Sequence, residues 1–116
     1  KRSDLRRKAT AAEYFLGSVN AVSETGELVT CDASGSRVGA YLFSAKHLVL
    51  IAGTQKIVPT LNDAMKRIRE YVFPLEDQRA KLAYGVNSSI SKWAIIEKES
   101  IKDRITLILV KEKLGF

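Results

Sequence analysis

The sequence predicts an α/β fold, a layered sandwich built on a mostly parallel sheet. Three observations carry that prediction. Short apolar runs alternate with stretches of helical periodicity along most of the chain. Leu48-Val49-Leu50-Ile51-Ala52 is an uninterrupted aliphatic run, the pattern of a strand buried on both faces and paired in parallel. Leu61, Ala64, Met65, Ile68 and Val72 then line one face of a helix, with Lys66, Arg67, Arg69 and Glu70 on the other.

Each element follows from local chemistry. Residues 3–12 are rich in helix formers, with Leu5, Ala9 and Ala12 on one face, and read as a helix entered without a start signal. From this we expect the chain to be the C-terminal part of a longer protein, with a sheet that lacks some covering helices. Residues 14–20 alternate weakly and read as one strand. Glu24-Thr25-Gly26-Glu27 is a turn in which Gly26 supplies a positive φ, and residues 28–31 form a second strand. Residues 32–36 have loop composition, and residues 37–43 read as a short helix that turns Val38, Leu42 and Phe43 inward.

In the second half, Thr60 stands at the N-cap of the 61–72 helix with Asp63 three residues on, an aspartate version of the capping box. Pro74 is expected to end that helix, because proline disfavours helical geometry in the residue before it. Residues 75–84 read as a further helix closed by Gly85. Residues 93–97 and 105–110 read as the last two strands.

With 116 residues, 46% of them hydrophobic, the chain can bury one small core and not two, so residues 1–116 are expected to form a single domain. No apolar run approaches the ~18 residues of a membrane span, and no signal peptide opens the sequence. A cytoplasmic chain with no membrane partner is expected. Cys31, the sole cysteine, excludes an internal disulfide or a multi-cysteine metal site and reads as a small buried strand residue. The net charge is +6, but Lys1, Arg2, Arg6, Arg7 and Lys8 against Asp4 supply +4 of it. The remainder is nearly balanced and carries no zinc-finger, RRM or helix-turn-helix signature, so nucleic acid is not the expected partner, and nonspecific binding through the basic N-terminal arm is only a third reading.

The stretch Ser18-Val19-Asn20-Ala21-Val22-Ser23-Glu24-Thr25-Gly26-Glu27-Leu28-Val29, followed by Asp32, Gly35-Ser36-Arg37-Val38 and Lys56-Ile57-Val58, resembles the LUD (lactate utilization) domain family in order and spacing. Family members run S-x-N-A-x-T-E-x-G-x-L-V, then D-G-x-G-N-R-V, then an apolar strand before K-I-V. Residues 104–110 and Leu114-Gly115-Phe116 resemble the family's C-terminal end. The resemblance implies a three-layer sandwich with a Rossmann-like sheet, similar to the phosphosugar isomerase and CoA transferase superfamily. It also implies a role in oxidising lactate to pyruvate beside iron-sulfur or oxidoreductase partner subunits. Many relatives carry a cysteine cluster where this chain has Gly85-Val86-Asn87-Ser88-Ser89-Ile90-Ser91-Lys92, so no metal or iron-sulfur cluster is expected on this chain. The identity of any other cofactor stays open.

Within this segment Glu24 is the candidate catalytic residue. Ser23-Glu24-Thr25-Gly26 resembles the Ser-Glu-Asn-Gly motif that carries the nucleophilic glutamate of CoA transferases; the alternative is a solvated turn glutamate. Asp32, Gly35, Ser36 and Arg37 are candidate ligand-binding residues. Small residues let backbone amides converge on an anion, and a guanidinium can grip a carboxylate or phosphate. The alternative there is an Asp32–Arg37 ion pair that pins the loop. Asn20 either holds a ligand or ties down the Glu24 turn. His47 has no second histidine to complete a zinc site or a Ser-His pair, and Trp93 reads as a core or interface residue. The binding reading expects a small anionic metabolite, phosphate or acyl group in one hollow bordered by Glu24 and Arg37. The other reading is a noncatalytic interaction subunit or homodimer that docks through an uncovered sheet face.

Overall fold

The structure, a computed structural model, describes residues 2–116. In chain order it contains α1 (Arg2–Thr10), β1 (Tyr14–Gly17), β2 (Ala21–Ser23), β3 (Leu28–Asp32), α2 (Ser36–Gly39), β4 (His47–Gly53), β5 (Ile57–Val58), α3 (Leu61–Arg67), α4 (Phe73–Tyr84), β6 (Lys92–Ile96) and β7 (Ile105–Val110). Strands β1-β4-β7 form a wholly parallel sheet, while β5-β2-β3-β6 form a mixed one. The α/β class and its parallel sheet agree with the sequence.

The core is divided between two interfaces. Leu48, Leu50 and Ala52 of β4 project to one side and pack on Val22 of β2 and on Ala40, Tyr41 and Ala45, with Leu28 and Ile96 against them. The other face of the mixed sheet presents Ala21 and Val29 to Ala64 and Ile68 of the helical layer. The layers therefore run parallel sheet, mixed sheet, helices. Thr60 caps α3 as expected, its Oγ1 accepting from the Asp63 amide at 3.2 Å.

Four local expectations are corrected. Residues 14–20 are not one strand. The chain leaves the parallel sheet after Gly17 and enters the mixed sheet at Ala21. A π-helical turn, Ala40–Ser44, continues α2, and its wider register turns Tyr41 inward while Leu42 and Phe43 are exposed. The Tyr41 hydroxyl donates to the Ser18 carbonyl at 2.6 Å across Gly17, where a Cβ would collide with the phenol ring. Pro74 does not end the helix that begins at Leu61. A π turn over Ile68–Val72 shifts the hydrogen-bond ladder just ahead of the proline, which then sits in the first turn of α4 and needs no N–H partner.

The fourth correction concerns β4, which is buried on one face. On the other, Tyr14, Leu16, Val49, Ile51 and Ile108 lie side by side, with Leu16 69% and Ile51 43% exposed. Parallel sheets are normally covered on both faces. An aliphatic run cannot announce that its second layer is missing.

Candidate functional site

The mixed sheet positions the site through β3, whose end delivers Asp32 to the loop before α2. Its Oδ2 accepts from the amides of Arg37 at 2.9 Å and Val38 at 3.3 Å, and Arg37 Nε stands 4.0 Å away. The convergent amides are thus capped by the chain's own carboxylate. Gly35 takes φ 92° at the start of α2, a conformation that favours glycine. Ser34 and Ser36 accept from Arg6 Nη2 at 2.8 and 3.0 Å, which fastens α1 to the loop. The Arg37 guanidinium is half exposed, and among the described residues its Nη groups donate to no protein acceptor.

Asn20 lies in the crossover between the two sheets. Its Oδ1 accepts from Thr30 Oγ1 at 2.9 Å and from the Cys31 amide at 3.0 Å, so it fastens the crossover to β3 rather than to the Glu24 turn. Glu24 sits at the other end of β3, exposed, with its amide donating to the Val58 carbonyl at 2.8 Å. The carboxylate engaged in that turn is Glu27, which accepts from Ser23 Oγ and Thr25 Oγ1 and is held below its usual pKa by those hydroxyls. Cys31 is half buried, and burial pushes its thiol up, away from the thiolate. His47 stacks on Tyr14 at 4.8 Å, and Trp93 lies beneath the Arg69 guanidinium.

Between the Asp32–Arg37 loop, α4 and the serine-rich segment after it opens a cleft of about 840 Å³. Asn20, Cys31, Asp32 and Arg37 line it, and so do Lys56 and Phe116; Glu24 does not. Gly35 and Ser36 border instead a smaller cavity of about 310 Å³ against α1. Thus Arg37, Asp32 and Asn20 come together, and Glu24 stands apart from them.

The residue that sequence reasoning passed over is Lys56. It ends a 3₁₀ turn, Thr54–Lys56, that joins β4 to β5, and it is only 8% exposed. Nζ donates to Val19 O at 2.9 Å and Ser18 Oγ at 3.1 Å. Among the described residues no carboxylate lies within 4.0 Å of it. Burial, then the charges of Arg67 and Arg37, hold its pKa below the usual lysine range. The two acids that line the cleft are committed elsewhere, Asp32 to the α2 amides and Glu76 to Arg79. Arg67 stands behind the cleft wall, donating to the carbonyls of Asn20 and Phe116.

The last residues close over this corner. Gln55 Nε2 donates to the Leu114 carbonyl at 2.6 Å, and Gly53 lets that segment pass, since a Cβ there would strike the Glu112 carbonyl. The sequence did hold a signal for Lys56, a lone cation between an aliphatic strand and Ile57-Val58. What it lacked was the fold that buries the amine with no acid within 4.0 Å among the described residues.

Among the described residues no three His, Cys, Asp or Glu side chains are grouped to hold a metal ion, and no helix is long and apolar enough to cross a membrane. Comparison with curated proteins finds no match, and comparison with solved structures finds none either. A family model described as the LUD domain matches residues 1–110. That match spans the crossover, the Asp32–Arg37 loop and Lys56, and on it the chain belongs to the LUD domain family.

Proposed function

We propose that the chain binds a small organic anion, a carboxylate, phosphate or acyl compound of lactate metabolism, in the cleft between Arg37 and Lys56. The observation that carries this reading is a buried ammonium with no acid beside it, on the wall of an open cleft. An uncompensated cation is costly to bury, and an entering anion recovers part of that cost. Arg37 adds a guanidinium whose Nη groups, among the described residues, donate to no protein acceptor. In this reading Asp32, Gly35 and Ser36 shape the loop that carries Arg37, while Asn20 fixes the crossover beneath Lys56.

Thermal denaturation with lactate, pyruvate, phosphate and CoA esters tests this. At a hundredfold excess over Kd, a true ligand adds about 2.7 kcal/mol to stability. Arg37→Ala should weaken that ligand by about tenfold or more, the worth of a charged hydrogen bond. If no anion shifts the transition, the proposal fails.

A second reading rests on a different observation, the open apolar face of Tyr14, Leu16, Val49, Ile51 and Ile108. Here the chain docks a partner subunit of a redox complex, or a second copy of itself, through the parallel sheet. Sedimentation of the wild type against Leu16→Glu measures this. Association that the glutamate abolishes supports the docking reading, and a monomer at every concentration removes the homodimer.

A further inference from the structure

We propose that Lys56 is a carbonyl-reactive amine, and that the ligand class of the cleft is the 2-oxo acids, bound by condensation of Nζ with the keto carbon. The inference rests on the anion-binding reading above and assigns that site a chemistry.

The argument starts from the valences of one nitrogen. Nζ has four tetrahedral positions. One is its bond to Cε, and two carry the donors to Val19 O and Ser18 Oγ. A neutral amine keeps both of those hydrogen bonds, because each consumes one N–H. The fourth position holds either a third proton or the lone pair, and Lys56 lines the cleft. Protein contacts therefore leave one valence of this nitrogen for whatever enters.

Its surroundings favour the lone pair. The side chain is removed from water, no carboxylate stabilises the ammonium, and the guanidiniums of Arg67 and Arg37 bear on it with like charge. Desolvation and neighbouring cations are the devices by which amines that attack carbonyls are kept unprotonated near neutrality. An amine alone would accept many aldehydes and ketones. Arg37, on the same cleft, adds a requirement for an anionic group, and the two together select a keto group beside a carboxylate.

The bonds balance with one proton drawn from solvent in the cleft. The Nζ lone pair adds to the keto carbon, and the carbonyl oxygen takes a proton to give the carbinolamine. Ser18 Oγ, 3.1 Å from Nζ, is placed to pass the proton that nitrogen loses. A proton from solvent then lets that oxygen leave as water, giving the protonated imine with no net oxidation or reduction. The cation of the iminium then faces the carboxylate of the ligand itself. The bound molecule thus supplies the acid partner that, among the described residues, the protein does not place within 4.0 Å of this nitrogen.

Reductive trapping on the complete chain decides this. Pyruvate with cyanoborohydride should give one covalent addition, mapped by peptide mass spectrometry to Lys56. It should exceed addition at any exposed lysine by at least about tenfold, since an amine whose pKa is lowered by burial competes with amines that water keeps protonated. Lactate, of the same size and charge but without a keto group, should give no adduct. Lys56→Arg, which has no amine to condense, should lose the adduct. The wild-type peptide map stands by itself if that variant does not fold. A shift with pyruvate and lactate but no adduct, or adducts spread over exposed lysines such as Lys8 and Lys46, overturns the imine and leaves the anion site intact. Neither shift nor adduct overturns both.

Discussion

Arg104 and Lys56 are both buried cations, 3% and 8% exposed, yet their surroundings are opposite. Arg104 donates to Glu99 Oε1 at 2.7 Å and to the carbonyls of Ala40, Tyr41 and Ala45 at 2.9 to 3.0 Å. It closes the C-terminal end of the π turn, where the helix dipole is negative, and four of its five N–H donors are answered by the fold. Lys56 meets one hydroxyl and one carbonyl, with no acid, beside an open cleft. The first cation is consumed by structure. The second is held in reserve, and that difference separates a scaffold residue from a site residue more clearly than burial does.

The largest effect that tests the contrast is Arg104→Met. It strands Glu99 and three carbonyls, and it should cost about 3–5 kcal/mol in urea unfolding. A loss below about 1 kcal/mol would place Arg104 in the same class as Lys56. Lys56→Met should behave in the opposite way. Removing an uncompensated buried charge leaves the unliganded protein as stable as before or more so, by up to about 4 kcal/mol, while the response to anions disappears.

The stability gap between Lys56→Met and wild type can be sharpened by pH. Because the folded state lowers the Lys56 pKa, the unfolded chain binds more protons between that value and about 10.4. Wild-type stability therefore gains from this group as pH rises through that window. The gap should be widest at neutral pH and narrow toward pH 10, and a gap that is flat with pH breaks the argument. The smallest effect belongs to Glu24→Gln, which should alter stability by less than about 0.5 kcal/mol and leave anion binding unchanged. A loss of binding there would return the catalytic role to the Glu24 turn.

Much of the scaffold was legible because its signals are local. The α3 stripe needs only a period, and its cap needs Thr60 and Asp63 three residues apart. The sheet crossover was hidden because Ser18, Val19 and Asn20 include no glycine or proline to mark the change. What makes the break is Asn20, whose side chain reaches Thr30 and Cys31. Both π turns were hidden as well, since a single widened turn leaves the apolar stripe nearly in phase. For the site, Asp32, Arg37 and Asn20 line one cleft, but the same proximity in sequence had placed Glu24 with Arg37, and Glu24 stands apart. Lys56 and Val19 are 37 positions apart and meet because two sheets exchange strands between them. No local pattern encodes that meeting.

The turn that carries Lys56 is also the splice at which the backbone passes from one sheet into the other. A molecule seated on its amine would brace both layers at their shared seam. Amide exchange should then slow in β4 and β5 together, reporting occupancy at a distance from the cleft through the covalent thread that links them.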